Sequence, residues 1–242
     1  MTVLLEVKDA VRAFGPLRAV AGVSFSVQRG ELVGLIGPNG AGKSALYNLI
    51  AGAIRPTSGQ IWFNGRSVAG WQPFRAARAG IGRTFQIPKP YRHLTVIENV
   101  AVSALSHERT VSAARRYCEA ILEDVGLADC AEAPVSILTV GLLKRLEVAR
   151  VLALRPSLIL FDEIMAGLTS TEVRGMTELV AALPARGFTV IWVEHVLYAI
   201  MKAAPRIMVL HRGQMISDGS PEQVAKDPAV IKAYLGEEMN LA

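Results

Sequence analysis

The sequence predicts an α/β fold with a mixed, largely parallel central sheet, an N-terminal antiparallel β subdomain and an inserted helical subdomain. Two patterns support this prediction. Near the N-terminus polar and apolar residues alternate, which is typical of half-buried antiparallel strands, whereas short apolar runs later in the chain are separated by segments with helical periodicity. The chain has 242 residues, of which 51% are hydrophobic, so it can bury a sizeable core and is too apolar for a disordered protein.

The first third of the chain supplies the antiparallel strands and one buried strand. Residues 4–11 and 23–27 alternate in polarity and predict two half-buried strands. Residues 31–36 are mostly apolar, as in a strand covered on both faces, and they lead through a glycine-rich loop into a helix predicted over 44–51. Residues 61–65 end in Asn-Gly, a pair that supplies the positive φ angles of a tight hairpin turn.

The pattern changes between residues 87 and 155. Two segments, 95–105 and 111–125, have helical periodicity, so this stretch predicts a helical insertion. After it, short apolar runs predict core strands that alternate with helices, which is the arrangement of a largely parallel sheet. The strands are expected at 158–161, 189–193 and 206–210, and the helices between them at 171–183 and 195–203.

Basic residues concentrate in one stretch of the chain. The 66 residues between Glu31 and Glu98 carry eight Lys or Arg and no carboxylate, whereas the whole chain has a net charge of +5. Such a basic lobe attracts polyanions, which include nucleotide phosphates, nucleic acid and anionic lipid. Most of these cations, taken singly, are expected to be solvated surface groups, with Lys43 as the exception.

The glycine-rich loop carries the strongest chemical signal. Residues 37–44 read GPNGAGKS and match G-x-x-x-x-G-K-[ST], between a predicted buried strand and a predicted helix. Glycines let backbone N–H groups turn inward around phosphate oxygens, and the helix N-terminus adds its positive dipole end. Lys43 is expected to reach the β- and γ-phosphates and Ser44 to bind Mg²⁺. The residues predicted to bind the nucleotide here are Gly37, Pro38, Asn39, Gly40, Ala41, Gly42, Lys43 and Ser44.

Two adjacent acids form a second candidate element. Asp162 and Glu163 follow the apolar run 158–161, and ligands of open α/β sheets bind at the carboxyl ends of strands. Asp162 is a hard oxygen donor of the kind that Mg²⁺ prefers, and Glu163 is expected to polarise the attacking water. An acidic pair alone would more often be an ordinary loop start. Beside a phosphate-binding loop it predicts nucleotide hydrolysis.

Together with Gln86 in GIGRTFQ and His195 in VIWVEH, these residues resemble the nucleotide-binding subunit of an ATP-binding cassette (ABC) transporter, over essentially the whole chain. The resemblance implies a P-loop NTPase fold and a Mg-dependent ATPase. It implies that Gln86 contacts the Mg²⁺ and water shell, that His195 hydrogen-bonds the γ-phosphate, and that Phe14 stacks on adenine. A core position for Phe14 is nearly as good an interpretation.

The family also has a signature loop that closes over the γ-phosphate held by a second cassette. Here the loop contains Thr139 and Gly141, which keep the hydroxyl and the close approach that the resemblance implies for nucleotide binding. Val140 and Leu142 depart from the usual glycine and glutamine, and Thr169 stands where an aspartate is common. These differences put in question the ATPase site to which this subunit donates its signature loop. A subunit that binds ATP and hydrolyses it slowly therefore stays an alternative.

Longer strings refine the resemblance. GIGRTFQIPKPYRHLTVIENV, DEIMAGL, VEHVLYAIM and the ending GSPEQVAKDPAVIKAYLGEE are similar to the ATP-binding subunit of branched-chain amino-acid importers, although related importers of other small solutes share them. The resemblance implies one cassette domain over 1–242. In it, 1–86 and 156–242 form the core and the antiparallel β subdomain, and 87–155 forms the helical signature subdomain.

The same resemblance implies the partners and the location. They are ABC membrane permease subunits, a second ATP-binding subunit that is expected to be a paralogue, and an indirect link to a solute-binding protein, at the cytoplasmic face of the inner or plasma membrane. A coupling helix of the membrane subunit is expected near Gln86 and residues 87–100. The competing class is a cassette protein that acts on nucleic acid, which the basic stretch slightly favours. Because such proteins usually carry two cassettes or long insertions, we predict no nucleic-acid partner.

Overall fold

The computed structural model of the protein describes residues 2–68 and 70–238, with side chains described up to Tyr234. Positions 1, 69 and 239–242 of the predicted domain lie outside the described residues. The strands are β1 Val3–Phe14, β2 Leu17–Gln28, β3 Leu32–Ile36, β4 Ser58–Phe63, β5 Arg66–Ser67, β6 Ile81–Arg83, β7 Leu158–Asp162, β8 Thr189–Val193, β9 Arg206–His211 and β10 Gln214–Gly219. The helices are α1 Lys43–Ile50, α2 Pro73–Ala79, α3 Val96–Ala104, α4 Val111–Asp124, α5 Val140–Leu152, α6 Ser170–Ala182, α7 Leu197–Ala203, α8 Pro221–Lys226 and α9 Pro228–Glu238.

An antiparallel sheet in the order β2-β1-β4-β5 contains the N-terminal strands. β1 and β2 each span 12 residues, longer than the sequence predicts, because the two strands pair with each other along their whole length, from Val3 with Gln28 to Phe14 with Leu17. The turn between β4 and β5 is the predicted Asn-Gly hairpin, since Asn64 and Gly65 both have positive φ, at 50° and 71°.

The second sheet is the predicted mixed, largely parallel one. Its order is β10-β9-β3-β8-β7-β6, and within residues 2–68 and 70–238 only the β9–β10 pair of this sheet is antiparallel. Every residue of β3 and of β8 is buried, as expected for central strands that are covered on both faces. This α/β architecture confirms the predicted fold class.

The two faces of this sheet belong to two hydrophobic clusters. Along β7, Ile159 and Phe161 pack with the helices α3 to α6, whereas Leu158 and Leu160 pack with α1 and the antiparallel sheet. Because β3, β8 and β7 run parallel, their carboxyl ends lie at the same edge of the sheet, and Asp162 is the last residue of β7. The fold thereby brings the glycine-rich loop and the acidic pair to the same sheet edge.

The segment predicted to be a helical insertion contains α3, α4 and α5. Thr95 caps α3 in a capping box with Glu98, and Thr110 caps α4. α3 packs against both α4 and α5, and the apolar side chains of all three helices belong to the cluster that also covers the large sheet.

One predicted helix begins later than the sequence suggests. The prediction gave a helix over 195–203, but α7 begins at Leu197. His195 lies outside the helix because its ring is used in a hydrogen bond to Glu163, and Val196 has the non-helical angles φ −79° and ψ 79°. Among the described residues, no helix is both long and apolar enough to cross a bilayer.

Candidate nucleotide site

The loop of residues 37–44 connects the buried strand β3 to helix α1. Gly37, Gly40 and Gly42 all have positive φ, at 152°, 75° and 102°. A Cβ at Gly37 would collide with the Leu210 carbonyl oxygen, and one at Gly42 with the Ala19 carbonyl oxygen. The loop therefore lies directly against the backbones of β9 and β2, and only glycine fits at both positions.

Exposure differs along this loop. Pro38, Ala41 and the side chain of Lys43 are buried, whereas Asn39, Gly40 and Ser44 are exposed. The Lys43 Nζ donates hydrogen bonds to the carbonyl oxygens of Gly37, at 2.6 Å, and of Pro38, at 3.1 Å. The ammonium is thus held inside the curl of the loop, where a bound phosphate would be its charged partner.

A Gly42→Ala substitution is expected to lower the free energy of unfolding by roughly 2–5 kcal/mol, because the new methyl group meets the Ala19 backbone and the φ of 102° is strained for alanine. Thermal or urea unfolding measures this loss. Gly187→Ala is the matched control, because Gly187 has a φ of 87° and open space around a Cβ. Equal losses in the two variants would contradict the close approach of the loop to β2.

Tyr47 connects α1 to the edge of the large sheet through hydrogen bonds. Its hydroxyl lies 2.8 Å from the Thr84 carbonyl oxygen and 2.9 Å from the Leu160 carbonyl oxygen, and burial raises the pKa of Tyr47 far above its usual range. The Thr84 hydroxyl in turn accepts a hydrogen bond from the Asp162 N–H at 3.1 Å. This chain of contacts sets the position of Asp162 relative to the glycine-rich loop.

Asp162 ends β7 and is half-buried. Burial raises the pKa of its carboxyl group, and the neighbouring charge of Glu163 raises it further, while Arg83, Lys43 and His195 oppose the shift. Two adjacent acids in a partly desolvated position favour a bound cation, because a cation relieves both the burial cost and the mutual repulsion.

Glu163 lies between the two other residues for which a catalytic role is predicted. Its Oε2 accepts a hydrogen bond from Gln86 Nε2 at 2.5 Å, and its Oε1 lies 2.7 Å from His195 Nε2. The backbone of Glu163 has a φ of 49°, which is unusual for a residue with a side chain. The structure therefore brings Gln86, Glu163 and His195 together at the end of β7.

Thr139 and Gly141 lie at the start of α5, and Gly141 packs against Glu172 of α6. The Thr139 hydroxyl accepts a hydrogen bond from the Leu142 N–H, as a helix cap. A Cβ at Gly141 would meet the carboxylate of Glu172 and force that side chain to move, so glycine here leaves room for the carboxylate as well as for the predicted approach of a partner. Glu172 itself caps α6 in a capping box with Thr169.

Phe14 ends β1 and is half-exposed, so the interpretation as a core residue is wrong. The Arg12 guanidinium lies over its ring, 4.4 Å from the centroid. A half-exposed aromatic ring at this place is compatible with base stacking, and the predicted adenine contact stays a prediction.

Two buried charged residues beside the site were missed by the sequence analysis. Lys144 of α5 bonds the main-chain oxygens of Gln86 and Glu163, and Glu194 accepts the N–H groups of Met165 and His195. For Glu194 a signal existed, since it is a carboxylate that continues the apolar strand β8. For Lys144 the sequence offers no such signal, because it stands next to another basic residue, Arg145, in a helix that is buried on several sides.

Comparisons with known proteins show the family to which the chain belongs. The sequence model of the family "ABC transporter" matches residues 20–166, and that of "Branched-chain amino acid ATP-binding cassette transporter" matches residues 214–239. The chain is 35% identical to the high-affinity branched-chain amino acid transport ATP-binding protein BraF of Pseudomonas aeruginosa, over 97% of this chain and 98% of the relative. It is 36% identical to LivG of Escherichia coli, a protein of the same description, with the same coverage.

Solved structures give the same result. The ADP conformation of an ATP-binding cassette of an ABC transporter superposes with a TM-score of 0.87 at 29% identity, over 98% of this chain and 100% of the other. A nucleotide-free cassette superposes with a TM-score of 0.85, also at 29% identity, over 96% and 99% of the two chains. The family match over 20–166 and these likenesses along nearly the whole chain identify the protein as a member of the ABC transporter family, an ATP-binding cassette with an ATPase site.

Proposed function

We propose that this cassette hydrolyses Mg-ATP to power the import of branched-chain or related small amino acids. The observation that carries the proposal is the contact of Glu163 with both Gln86 and His195 at the strand end that faces the glycine-rich loop. The solute class is supported by the names of BraF and LivG and by the family match at 214–239.

The residues present fit Mg²⁺. The exposed Ser44 hydroxyl, the half-buried Asp162 carboxylate and the Gln86 side-chain amide supply hard oxygen donors, and Mg²⁺ is usually bound by one or two such protein groups together with substrate phosphates. When bound, the ion would neutralise charge on the β- and γ-phosphates. The Ser44 and Asp162 side chains would hold it between α1 and β7.

Hydrolysis then depends on Glu163. Its carboxylate accepts a proton from water while the water oxygen bonds the γ-phosphorus and the bond to the β-γ bridging oxygen breaks, which releases ADP and phosphate. Gln86 and His195 orient the two carboxylate oxygens. Because an ionised carboxylate only accepts hydrogen bonds, the His195 Nε2 donates its proton to Oε1.

His195→Ala is expected to leave ATP affinity within about twofold of the wild type and to lower turnover on the order of 10²-fold, because the ring bonds Glu163 and, in the proposed site, would meet only the γ-phosphate of the nucleotide. Calorimetric titration with ATP and a phosphate-release assay separate the two effects. Impaired binding with normal turnover would contradict this role.

We further propose that a second, paralogous cassette pairs with this chain and that Thr139 and Gly141 close over the nucleotide of that cassette. The pair docks on membrane permease subunits at the cytoplasmic face, and a solute-binding protein is an indirect partner. Apolar side chains near Gln86 support the docking. Ile87 is 72% exposed, and Phe85 and Tyr91 are also exposed. The helical segment 87–155, in this proposal, is the subdomain that carries the signature loop to the other cassette.

The proposed function is tested by purifying the chain with its membrane subunits and second cassette in proteoliposomes. We expect ATP hydrolysis that requires Mg²⁺ and ATP-dependent uptake of labelled leucine, isoleucine or valine in the presence of the solute-binding protein. Hydrolysis with uptake of none of these three would overturn the solute class. Absence of hydrolysis in the assembled complex would overturn the ATPase assignment.

A further inference from the structure

Lys144 is a charged side chain that is only 3% exposed. It lies on α5, the helix that begins beside Thr139, and its Nζ donates hydrogen bonds to two main-chain oxygens. One is the Gln86 oxygen at 2.6 Å, and the other is the Glu163 oxygen at 3.3 Å. A single ammonium group therefore joins the two chain segments whose side chains meet at the candidate catalytic carboxylate.

Both of these segments need an external constraint. Gln86 lies outside the helices and strands, and Glu163 has the left-handed φ of 49°. Such a backbone conformation persists only where surrounding contacts hold it. The Glu163 N–H bonds the Val193 oxygen at 2.9 Å, and Lys144 holds the oxygen of the same residue. The two contacts together define the direction in which the Glu163 side chain leaves the backbone.

Carboxylates around Lys144 compensate its burial. Desolvation lowers the pKa of Lys144, while Glu194, Glu147, Glu163 and Asp162 oppose that shift. Glu194 is itself buried and accepts hydrogen bonds from the Met165 and His195 N–H groups. The two buried charges thus attract each other and together bond the backbone of all three residues of the candidate catalytic group, Lys144 at Gln86 and Glu163 and Glu194 at His195.

The same face of α5 holds the rest of the segment after Gln86. Glu147 accepts a hydrogen bond from the Lys89 N–H at 3.4 Å, and Arg150 donates to the Lys89 oxygen at 3.0 Å. The Arg150 guanidinium also lies over the Tyr91 ring, 5.2 Å from its centroid. Residues at i, i+3 and i+6 of the helix therefore fix residues 86–91, and only Lys144 among them also bonds Glu163.

We propose that Lys144 is a positioning residue for ATP hydrolysis, which holds the main chains of Gln86 and Glu163 at the separation that lets the Gln86 amide bond the Glu163 carboxylate. It acts through these two residues and does not contact the nucleotide. This inference rests on the proposed ATPase function and adds to it a residue that is outside the glycine-rich loop, the acidic pair and the signature loop.

The test compares Lys144→Met with wild type in the complete transporter complex. We expect kcat to fall by about 10- to 100-fold while the KM for ATP changes by less than about threefold, because a small displacement of a positioned group lowers the rate of the chemical step without removing a nucleotide contact. Lys144→Arg is expected to recover most of kcat, because the guanidinium can donate to both carbonyl oxygens. If Lys144→Met does not fold, Lys144→Gln takes its place, with the same expected split.

Arg145→Met is the matched control. Arg145 is the next residue on α5 and donates to the Val125 oxygen at 2.8 Å, on the side of α4. This variant is expected to lose stability but to keep kcat in the folded fraction. An unchanged kcat in Lys144→Met, or a loss that Lys144→Arg does not reverse and Arg145→Met shares, would overturn the inference. Absence of hydrolysis in the wild-type complex would overturn the proposed function instead.

Discussion

Replacing Lys43 by alanine is expected to weaken ATP binding more than any other single substitution in the chain. The Lys43 ammonium is buried in the curl of the glycine-rich loop and bonds the Gly37 and Pro38 oxygens, so in the proposed site the loop itself would hold this charge against a phosphate. Truncating one member of a desolvated, hydrogen-bonded charge pair costs roughly 2–5 kcal/mol, which corresponds to a 30-fold to several-thousand-fold rise in Kd.

Isothermal titration of the purified chain with Mg-ATP measures this change. The matched control is Lys202→Ala, which removes one positive charge from the exposed side of α7 and is expected to leave Kd unchanged. Because Lys43 also bonds its own loop, circular dichroism and thermal melting establish that Lys43→Ala is folded before titration. Folded Lys43→Ala protein that binds Mg-ATP with the wild-type Kd would place the phosphates elsewhere.

The parts of the site that could be predicted from the sequence are those whose residues lie close together along the chain. The loop 37–44 combines glycines at positions of positive φ with Lys43, and these requirements fall within eight consecutive residues. Asp162 and Glu163 follow an apolar strand, and the end of a parallel strand places them beside the loop. Their position in the fold depends on the order of the strands in the sheet. Short sequence patterns predict the fold class but not this strand order.

Lys144 and Glu194 could not be predicted in the same way. A lysine in a helix is usually solvated, and its burial depends on carboxylates and carbonyl oxygens that are distant in the sequence. Lys144 meets Gln86 across 58 positions and Glu163 across 19, so no local window contains the set. The start of α7 differs from the prediction for a related reason, since His195 is held by Glu163, which lies 32 positions earlier.

Glu163→Gln is expected to abolish most hydrolysis at the site that contains it and to leave ATP binding intact. The substitution is nearly isosteric, so the side chain can still accept a hydrogen bond from Gln86, but a neutral amide does not accept the proton of the attacking water. Loss of a general base lowers the rate by about 10²- to 10⁴-fold. The expected pattern is therefore a kcat effect with an ATP affinity within about threefold of the wild type.

Phosphate release from the purified complex measures the rate, and Glu178→Gln on the exposed side of α6 serves as the control for loss of one carboxylate. In a complex with a second cassette, the residual rate is that of the other site, because each site supplies its own carboxylate. Leu142 and Thr169, which differ from the residues usual in the family, lie in loops that are proposed to face the nucleotide of the other cassette. The site in the other cassette is therefore expected to be the slower one. A complex with Glu163→Gln that hydrolyses ATP at the wild-type rate would show that the competent site belongs to the other cassette, and Glu163 would then not be the base.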